Sequence, residues 1–365
     1  MSPLRFVALG DSLTEGVGDP VGEAWRGWAA LLADGLSGGV PEAVPEAVPV
    51  GAAAGFGRGP VGGFAHGVVG GFAHGVVGGF AHGAAGEPSG AVADGAAVES
   101  SGGPAGGSSG RPVGGPSDRP VASVEFTNLA VSGAQTRDVL ERQTPQALAL
   151  RPDVVSVVIG VNDTLRCTFD IHAVAARLDE VYAAFRDRGA VLLTACLPDP
   201  GAMLGLPGAL ARPLARRQRA VNAVVHALSE RYGAVHVHAA EGAWLTDRAL
   251  WSADRLHPGE RGHRQLALRF HMSLAQRGVA TGPAPSAEPE FPAPTRSASL
   301  WWLATAGTGW VARRCTDLLP QLLTLAAAEI RHRARGTSAR LDLGASHAVA
   351  SALAALSGGE QPDAA

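Results

Sequence analysis

One run of six residues, Val154–Ile159, constrains the fold more than any other feature of this chain. It is apolar except for Ser156, and most of its residues are β-branched, which is typical of a strand covered by other elements on both faces. Strands of this kind occur in parallel sheets that carry helices on either side. We therefore expect further strands of the same sheet, and the helices that cover it, elsewhere in the chain.

Strand and helix patterns alternate along much of the remaining sequence. Besides the central run, apolar segments bounded by turn residues predict strands at 6–9, 124–130, 190–197 and 234–239. Apolar residues at three- and four-residue spacing predict helices within 14–36 and near 137–150, 172–188, 214–232 and 258–277. This order predicts right-handed βαβ units, and so a parallel sheet with helices on both faces.

Residues 37–120 interrupt the alternation. About half of the 49 glycines fall there, with three tandem copies of an octapeptide that begins Gly-Gly-Phe-Ala-His-Gly at 62–85. So much Gly, Pro, Ala and Ser cannot bury enough apolar surface to offset chain entropy, so we predict a disordered insertion. The histidines of the repeats, His66, His74 and His82, are flanked by glycines that give no fixed geometry. We predict no metal site there.

A second change of composition follows residue 282. Prolines predict a linker over 283–299, and apolar segments with Trp and Arg predict a helical extension over 300–365 with a disordered end. Trp-rich apolar faces beside arginine pairs also occur on helices that lie on membranes. We favour a helical hairpin packed on the core or on a second subunit, and membrane association is the alternative. The main domain is then 1–282, interrupted by the insertion.

Charge and composition exclude several kinds of partner and chemistry. The net charge of −3 argues against a nucleic-acid binder. All 30 basic residues are arginine, which excludes chemistry that needs a lysine. The three cysteines, Cys167, Cys196 and Cys315, are not spaced as in a disulfide framework or a Cys-rich zinc site. Because there is neither a signal-peptide pattern nor a long apolar run, we predict a cytoplasmic location.

Four short polar blocks follow predicted strands or open the last helix. They centre on Ser12 (Gly-Asp-Ser-Leu), Gly133 (Val-Ser-Gly), Asn162 (Gly-Val-Asn-Asp) and the pair Asp254/His257 (Asp-x-x-His). Taken singly, each has an ordinary structural explanation: a helix N-cap, a positive-φ turn, an Asx-turn and a solvated helix start. However, open α/β sheets bind ligands outside the carboxyl ends of their strands, where several of these blocks fall.

In this order the four blocks resemble the SGNH (GDSL) hydrolase family, over residues 1–36 and 121–282. The resemblance implies an α/β, flavodoxin-like three-layer sandwich with a parallel sheet of about five strands. It also implies a serine hydrolase that uses no cofactor and no metal.

The resemblance assigns a role to each of five residues. Ser12 would be the nucleophile, His257 the general base, and Asp254 the acid that orients the imidazole. The oxyanion hole would consist of the backbone N–H groups of Ser12 and Gly133 and the side-chain amide of Asn162.

The implied substrate is a small-molecule carboxylic ester, with short acyl groups, including acetyl groups on sugars, as our first expectation. A thioesterase or lysophospholipase with the same triad is the nearest alternative. A non-catalytic α/β binding module that merely retains the pattern is the alternative from another class. We expect Asp11, Asp163 and Trp251 to support the catalytic residues or to line the site. The sequence predicts no oligomeric state.

Overall fold

A computed structural model describes residues 3–22, 24–37, 123–292, 295, 297 and 319–357 of the chain. The predicted insertion lies outside these residues apart from Ser37, as do the tryptophans of the C-terminal extension and its last eight positions. The division into domain, insertion, linker and extension therefore stays a prediction.

Five parallel strands form the main sheet. Their bounds are β1 Leu4–Gly10, β2 Val124–Asn128, β3 Val154–Val158, β4 Val191–Cys196 and β5 Val235–His238. Their spatial order is β2-β1-β3-β4-β5, with every neighbouring pair parallel. The order reverses between β1 and β3, and such a reversal opens a crevice at the carboxyl ends of these strands. The predicted flavodoxin-like α/β architecture is confirmed.

Helices connect the strands and cover both faces of the sheet. Their bounds are α1 Ser12–Glu15, α2 Gly27–Leu36, α3 Thr136–Asp138, α4 Thr144–Leu150, α5 Val161–Thr164, α6 Ile171–Arg186, α7 Pro200–Met203, α8 Gly208–Arg231 and α9 Glu260–Gln276. Helices α2 and α9 cover one face, where Trp28 stacks on Phe270 with ring centroids 4.7 Å apart. Helices α4, α6 and α8 cover the other face.

The central strand is buried at every position, as its composition predicts. Two helices differ from their predicted form. Helix α8 begins at Gly208, well before the predicted start at Leu214, and so contains Pro213 in its second turn. The missing N–H of Pro213 costs one helical hydrogen bond, but the ring and Leu214 are buried, which offsets that loss. The helix predicted near 137–150 contains a π-helical turn at Val139–Gln143, between α3 and α4.

Two helices near the C-terminus, α10 Leu319–Ala334 and α11 Ser338–Ser357, pack on α8, and α11 also packs on α6. Arg216 on α8 joins both, because its guanidinium lies 3.1 Å from the buried carboxylate of Glu329 and 2.8 Å from that of Asp342. No helix among the described residues is both long and apolar enough to cross a membrane.

Residues 283–292, the continuously described part of the predicted linker, contain no helix or strand. Glu290 nevertheless holds this segment to the domain, since its carboxylate contacts Arg26 at 2.8 Å and Arg264 at 2.6 Å. The backbone N–H groups of Glu290 and Phe291 also donate to Glu260.

Candidate active site

The chain turns sharply between β1 and α1, and this turn presents Ser12. Gly10 has φ +152°, and a Cβ at this position would lie 2.4 Å from the carbonyl oxygen of Val158 on β3, so only glycine fits. Asp11 caps α1, since its Oδ1 accepts from the backbone N–H of Leu13 at 3.1 Å. Ser12 is the first residue of the helix and is half-buried.

A glutamine from the π-helical turn fixes this end of β1. The Gln143 side chain accepts from the N–H of Gly10 at 2.9 Å and donates to the C=O of the same residue at 2.9 Å. Gln143 is only 4% exposed, so both bonds are shielded from water. A π-helical turn widens the helix locally and recurs at functional sites. Here the turn contains Gln143, and the bonds of its side chain fix Gly10, two positions before Ser12.

The loop between residues 251 and 258 holds the two other predicted triad members. Its ends meet because Trp251 and Pro258 form an antiparallel bridge, and the N–H of Ser252 donates to the C=O of His257 at 2.9 Å. Asp254 organises the interior of the loop. Its Oδ1 accepts from the hydroxyl of Ser252 and from the backbone N–H groups of Leu256 and His257, at 2.6, 2.9 and 3.0 Å.

The structure brings Ser12, His257 and Asp254 into one hydrogen-bonded chain. Nε2 of His257 lies 2.7 Å from Oγ of Ser12, and Nδ1 lies 2.6 Å from Oδ2 of Asp254. Burial raises the pKa of Asp254, but hydrogen bonds from His257 and Ser252 outweigh it and lower that pKa to about 2. The carboxylate is therefore ionised at neutral pH and holds the proton of the imidazole on Nδ1. That leaves Nε2 free to accept a proton from the serine hydroxyl.

Asn162 lies beside the serine but has other partners in this structure. Its Nδ2 donates to Oδ2 of Asp11 at 3.1 Å and to the C=O of Ala134 at 3.1 Å. Burial raises the pKa of Asp11 to about 6, although the hydrogen bond from Leu13, the proximity of His257 and the amide of Asn162 each favour the charged form. Both hydrogens of the Asn162 amide are thus engaged.

Gly133 belongs to the loop after β2, with φ +83°. The loop is tied to the site at several points: Val131 donates to the C=O of Gly10 at 3.2 Å, and Ser132 donates to the carboxylate of Glu15. Among the described residues, the N–H groups of Gly133 and Ser12 have no hydrogen-bond acceptor. Gly133 does not line the cavity that contains Ser12.

That cavity has a volume of about 60 Å³. Ser12, Asn162 and His257 contribute to its lining together with Asp11, and most of the rest is apolar. The apolar lining comes from the segments that follow β3, β4 and β5, including α5 and α7, and from α9. Its residues include Val161, Leu165, Leu197, Pro198, Pro200, Met203, Ala239, Trp244, Trp251 and Leu266. The indole N–H of Trp251 donates to the C=O of Trp244 at 2.9 Å, and this bond fixes the positions of the two lining residues relative to each other.

Sequence reasoning missed one support of the site. Gln143 lies in an ordinary helical pattern, and nothing in its neighbourhood signals a bond to residue 10. Asp163 was expected near the site and lies behind it, where its carboxylate accepts from the N–H of Thr136 at 3.0 Å and from its hydroxyl at 2.7 Å. This fixes the start of α3 next to the loop that carries Gly133.

Residues 98–265 match the family model described as the GDSL-like lipase/acylhydrolase family. The match includes Gly133, Asn162, Asp254 and His257 and begins after Ser12. No curated protein matches the chain in sequence.

Solved structures similar to this chain include Axe2, an acetylxylan esterase from Geobacillus stearothermophilus, with 16% identity and a TM-score of 0.43 over 75% of this chain and 94% of that one. A structure named TesA has 16% identity and a TM-score of 0.42, over 74% of this chain and 98% of the other. A GDSL-like lipase from Parabacteroides merdae has 19% identity and a TM-score of 0.38, over 42% and 73%. Over residues 98–265 the chain is therefore similar to the GDSL-like lipase/acylhydrolase family, and the findings support an esterase of the SGNH type.

Proposed function

We propose that this esterase cleaves small carboxylic esters with short acyl groups through an acyl-enzyme intermediate on Ser12. The observation that carries the proposal is the continuous chain from Asp254 through His257 to Ser12, with donor–acceptor distances of 2.6 and 2.7 Å. A serine hydroxyl is a poor nucleophile at neutral pH unless a neighbouring base removes its proton. The arrangement supplies that base, already oriented.

In the first half of the reaction, Oγ of Ser12 attacks the ester carbonyl while its proton moves to Nε2 of His257. The imidazolium formed is stabilised by the ionised Asp254 across the bond to Nδ1. Collapse of the tetrahedral intermediate breaks the bond to the alkoxide oxygen, which takes the proton from Nε2. Water then repeats the sequence on the acyl-serine, releasing the acid and restoring the hydroxyl.

Charge that develops on the carbonyl oxygen needs preorganised donors. The N–H groups of Ser12 and Gly133 support the assignment because neither has an acceptor among the described residues. Asn162 would have to exchange one of its present partners, Asp11 or the C=O of Ala134, for the oxyanion. Catalytic hydrogen bonds often tighten only when substrate is bound, so this exchange is compatible with the proposed role.

The size of the cavity favours a short acyl group. About 60 Å³ is room for roughly four water-sized groups. An acetyl group fits this volume, whereas a long alkyl chain would extend beyond the space lined by Trp244, Trp251 and Met203. The apolar lining suits a methyl or ethyl group, and the polar groups lie where the carbonyl would be attacked.

A fluorophosphonate probe tests the nucleophile, and a series of nitrophenyl esters tests the substrate class. Labelling should be lost in Ser12→Ala and retained in Ser273→Ala, a control on α9 whose hydroxyl donates to the C=O of Arg269. We expect kcat/KM to be highest for acetyl and propionyl esters and to fall from butyryl onwards. Equal labelling of folded Ser12→Ala would exclude Ser12, and a maximum at octanoyl or longer esters would favour a lysophospholipase-like activity.

A further inference from the structure

A cluster of metal-ligating side chains lies outside the active site. Cys196 ends β4, His236 and His238 lie on β5, and His226 lies on α8. The parallel register pairs Cys196 with His238 and Thr194 with His236. Alternate residues of a strand share a face, so the four strand residues of these two pairs lie on the side of the sheet that α8 covers. The chain's catalytic cavity borders the next residues, Leu197 and Ala239.

The four potential ligand atoms converge on one point. The cysteine sulfur and one ring nitrogen from each histidine all lie within 4.8 Å of one another. The three imidazole rings are in mutual contact, with centroid separations of 4.4, 4.8 and 5.0 Å for the pairs 226/236, 226/238 and 236/238. Apolar packing alone does not explain this cluster, because each imidazole carries two polar nitrogens that need hydrogen-bond or metal partners when they are buried.

The hydrogen bonds around His236 fix its tautomer. The hydroxyl of Ser229 donates its one proton to the C=O of Val225 at 2.5 Å. In its second hydrogen bond, to the hydroxyl of Thr194 at 2.7 Å, Ser229 must therefore be the acceptor. The hydroxyl of Thr194 is then the donor to Ser229, and it accepts from Nδ1 of His236 at 2.9 Å. The proton of His236 therefore lies on Nδ1, and Nε2 carries a lone pair.

This lone pair is buried and has no hydrogen-bond partner among the described residues. An unsatisfied buried acceptor costs about 1–3 kcal/mol, so its retention calls for an explanation. Histidines that bind metals donate their other N–H to a neighbouring oxygen in just this way. The hydroxyl relay of Thr194 and Ser229 thus aims Nε2 at the centre of the cluster.

One sulfur and three imidazole nitrogens suit a cation of intermediate softness. Burial and the neighbouring His226 and His238 lower the pKa of His236 to about 4. Burial and the proximity of His238 also lower the pKa of His226. Burial raises the pKa of the Cys196 thiol, so a metal ion has to displace its proton. Glu241 is an acidic group whose charge acts on both His226 and Cys196.

We propose that Cys196, His226, His236 and His238 bind one Zn²⁺ ion in a tetrahedral site. Thiolate sulfur and imidazole nitrogen are donor atoms that Zn²⁺ prefers, and four protein ligands are typical of a structural site. Binding forms one Zn–S and three Zn–N bonds and releases the thiol proton to solvent. Ligand atoms of a tetrahedral zinc site lie about 3.4 Å apart, so the side chains close by about 1 Å on binding. The exposed His238 gives the ion its route from solvent.

The site would join β4, β5 and α8 at one point. Since Leu197 and Ala239 directly follow two of the ligands, the metal would also fix one wall of the cavity. No step of the proposed ester hydrolysis passes through the ion.

Cobalt substitution in the full-length, untagged protein tests the proposal. Metal-free protein titrated with Co²⁺ should bind one equivalent at this site, with a thiolate-to-cobalt band in the near ultraviolet and the visible bands of tetrahedral Co²⁺. One equivalent of Zn²⁺ should bleach both and raise Tm by mass action. This measurement on the wild type does not depend on any variant folding.

Variants locate the ligands. Cys196→Ser should lose the thiolate band, and His236→Gln should weaken binding at least about tenfold. Two controls should keep the bands: His172→Asn on α6, and the triple variant His66→Gln/His74→Gln/His82→Gln. Absence of a thiolate band in the wild type would overturn the proposal. So would retention of the band in Cys196→Ser, or its loss in the triple variant.

Discussion

Replacing Asp254 by asparagine changes one atom that matters for catalysis and leaves the loop around it intact. Oδ1 of Asp254 accepts three hydrogen bonds, from Ser252, Leu256 and His257. An asparagine oxygen can keep all three. The new NH₂ group then replaces Oδ2, which lies 2.6 Å from Nδ1 of His257. Facing a donor, Nδ1 has to become an acceptor, so the ring proton moves to Nε2.

This tautomer cannot take the proton of Ser12, because Nε2 then donates to the hydroxyl. Two effects add to the loss. The pKa of Asp254, lowered from 3.8 to about 2 although burial raises it, corresponds to a net stabilisation of the charged carboxylate of about 2.4 kcal/mol. The wrong tautomer also blocks proton transfer, and together the two effects should reduce kcat by about 10⁴, or about 5.5 kcal/mol.

Hydrolysis of nitrophenyl acetate between pH 6 and 10, with burst-phase titration to count active sites, measures this loss. The matched control is Asp247→Asn, because Asp247 also caps a short turn nearby, through a bond to the N–H of Ala249, but does not touch His257. The control should keep full activity. If folded Asp254→Asn retained more than a tenth of the wild-type kcat, Asp254 would not orient the base.

Three further predictions concern the groups around Ser12. Asn162→Ala should lower kcat about 10²–10³-fold with little change in KM, as measured on nitrophenyl acetate; an unchanged kcat would remove Asn162 from the oxyanion hole. Burial raises the folded-state pKa of Asp11 to about 6, so the native state binds this proton more tightly than the unfolded chain does. The free energy of unfolding should therefore fall by about 2.4 kcal/mol between pH 4 and pH 7 through this group. Urea denaturation across that range should show a smaller fall for Asp11→Asn, and identical pH profiles would contradict the burial argument. Gln143→Met leaves the buried N–H and C=O of Gly10 without their side-chain partner, so it should lower the free energy of unfolding by about 2–4 kcal/mol and reduce kcat; Gln146→Met on the exposed side of the same helix should do neither.

The sheet and the four polar blocks could be predicted because each depends on a local pattern. Val154–Val158 is buried throughout, as its composition indicates, and each block follows from residues adjacent in sequence. Boundaries that depend on packing were less predictable. Helix α8 starts before Pro213 because contacts with α7 and burial of the Pro213 ring offset one lost hydrogen bond.

Contacts that depend on the register of distant segments left no local signal. Gln143 reaches Gly10 only because a π-helical turn places it at the end of β1. The spacing of Cys196, His226, His236 and His238 matches no zinc motif, since the parallel pairing of β4 with β5 brings them together. In the same way, the hydrogen bonds from the Asn162 side chain to Asp11 and Ala134 form only because three loops that follow different strands meet.

The proposed nucleophile and its base are 245 positions apart, and this distance has a consequence for synthesis. Ser12 leaves the ribosome long before His257, which is added only after all five strands have been made. Until then, the serine is an ordinary unactivated alcohol. A nascent or truncated chain therefore cannot acylate itself on cellular esters, and the enzyme becomes reactive only when the loop at 251–258 closes over a completed sheet.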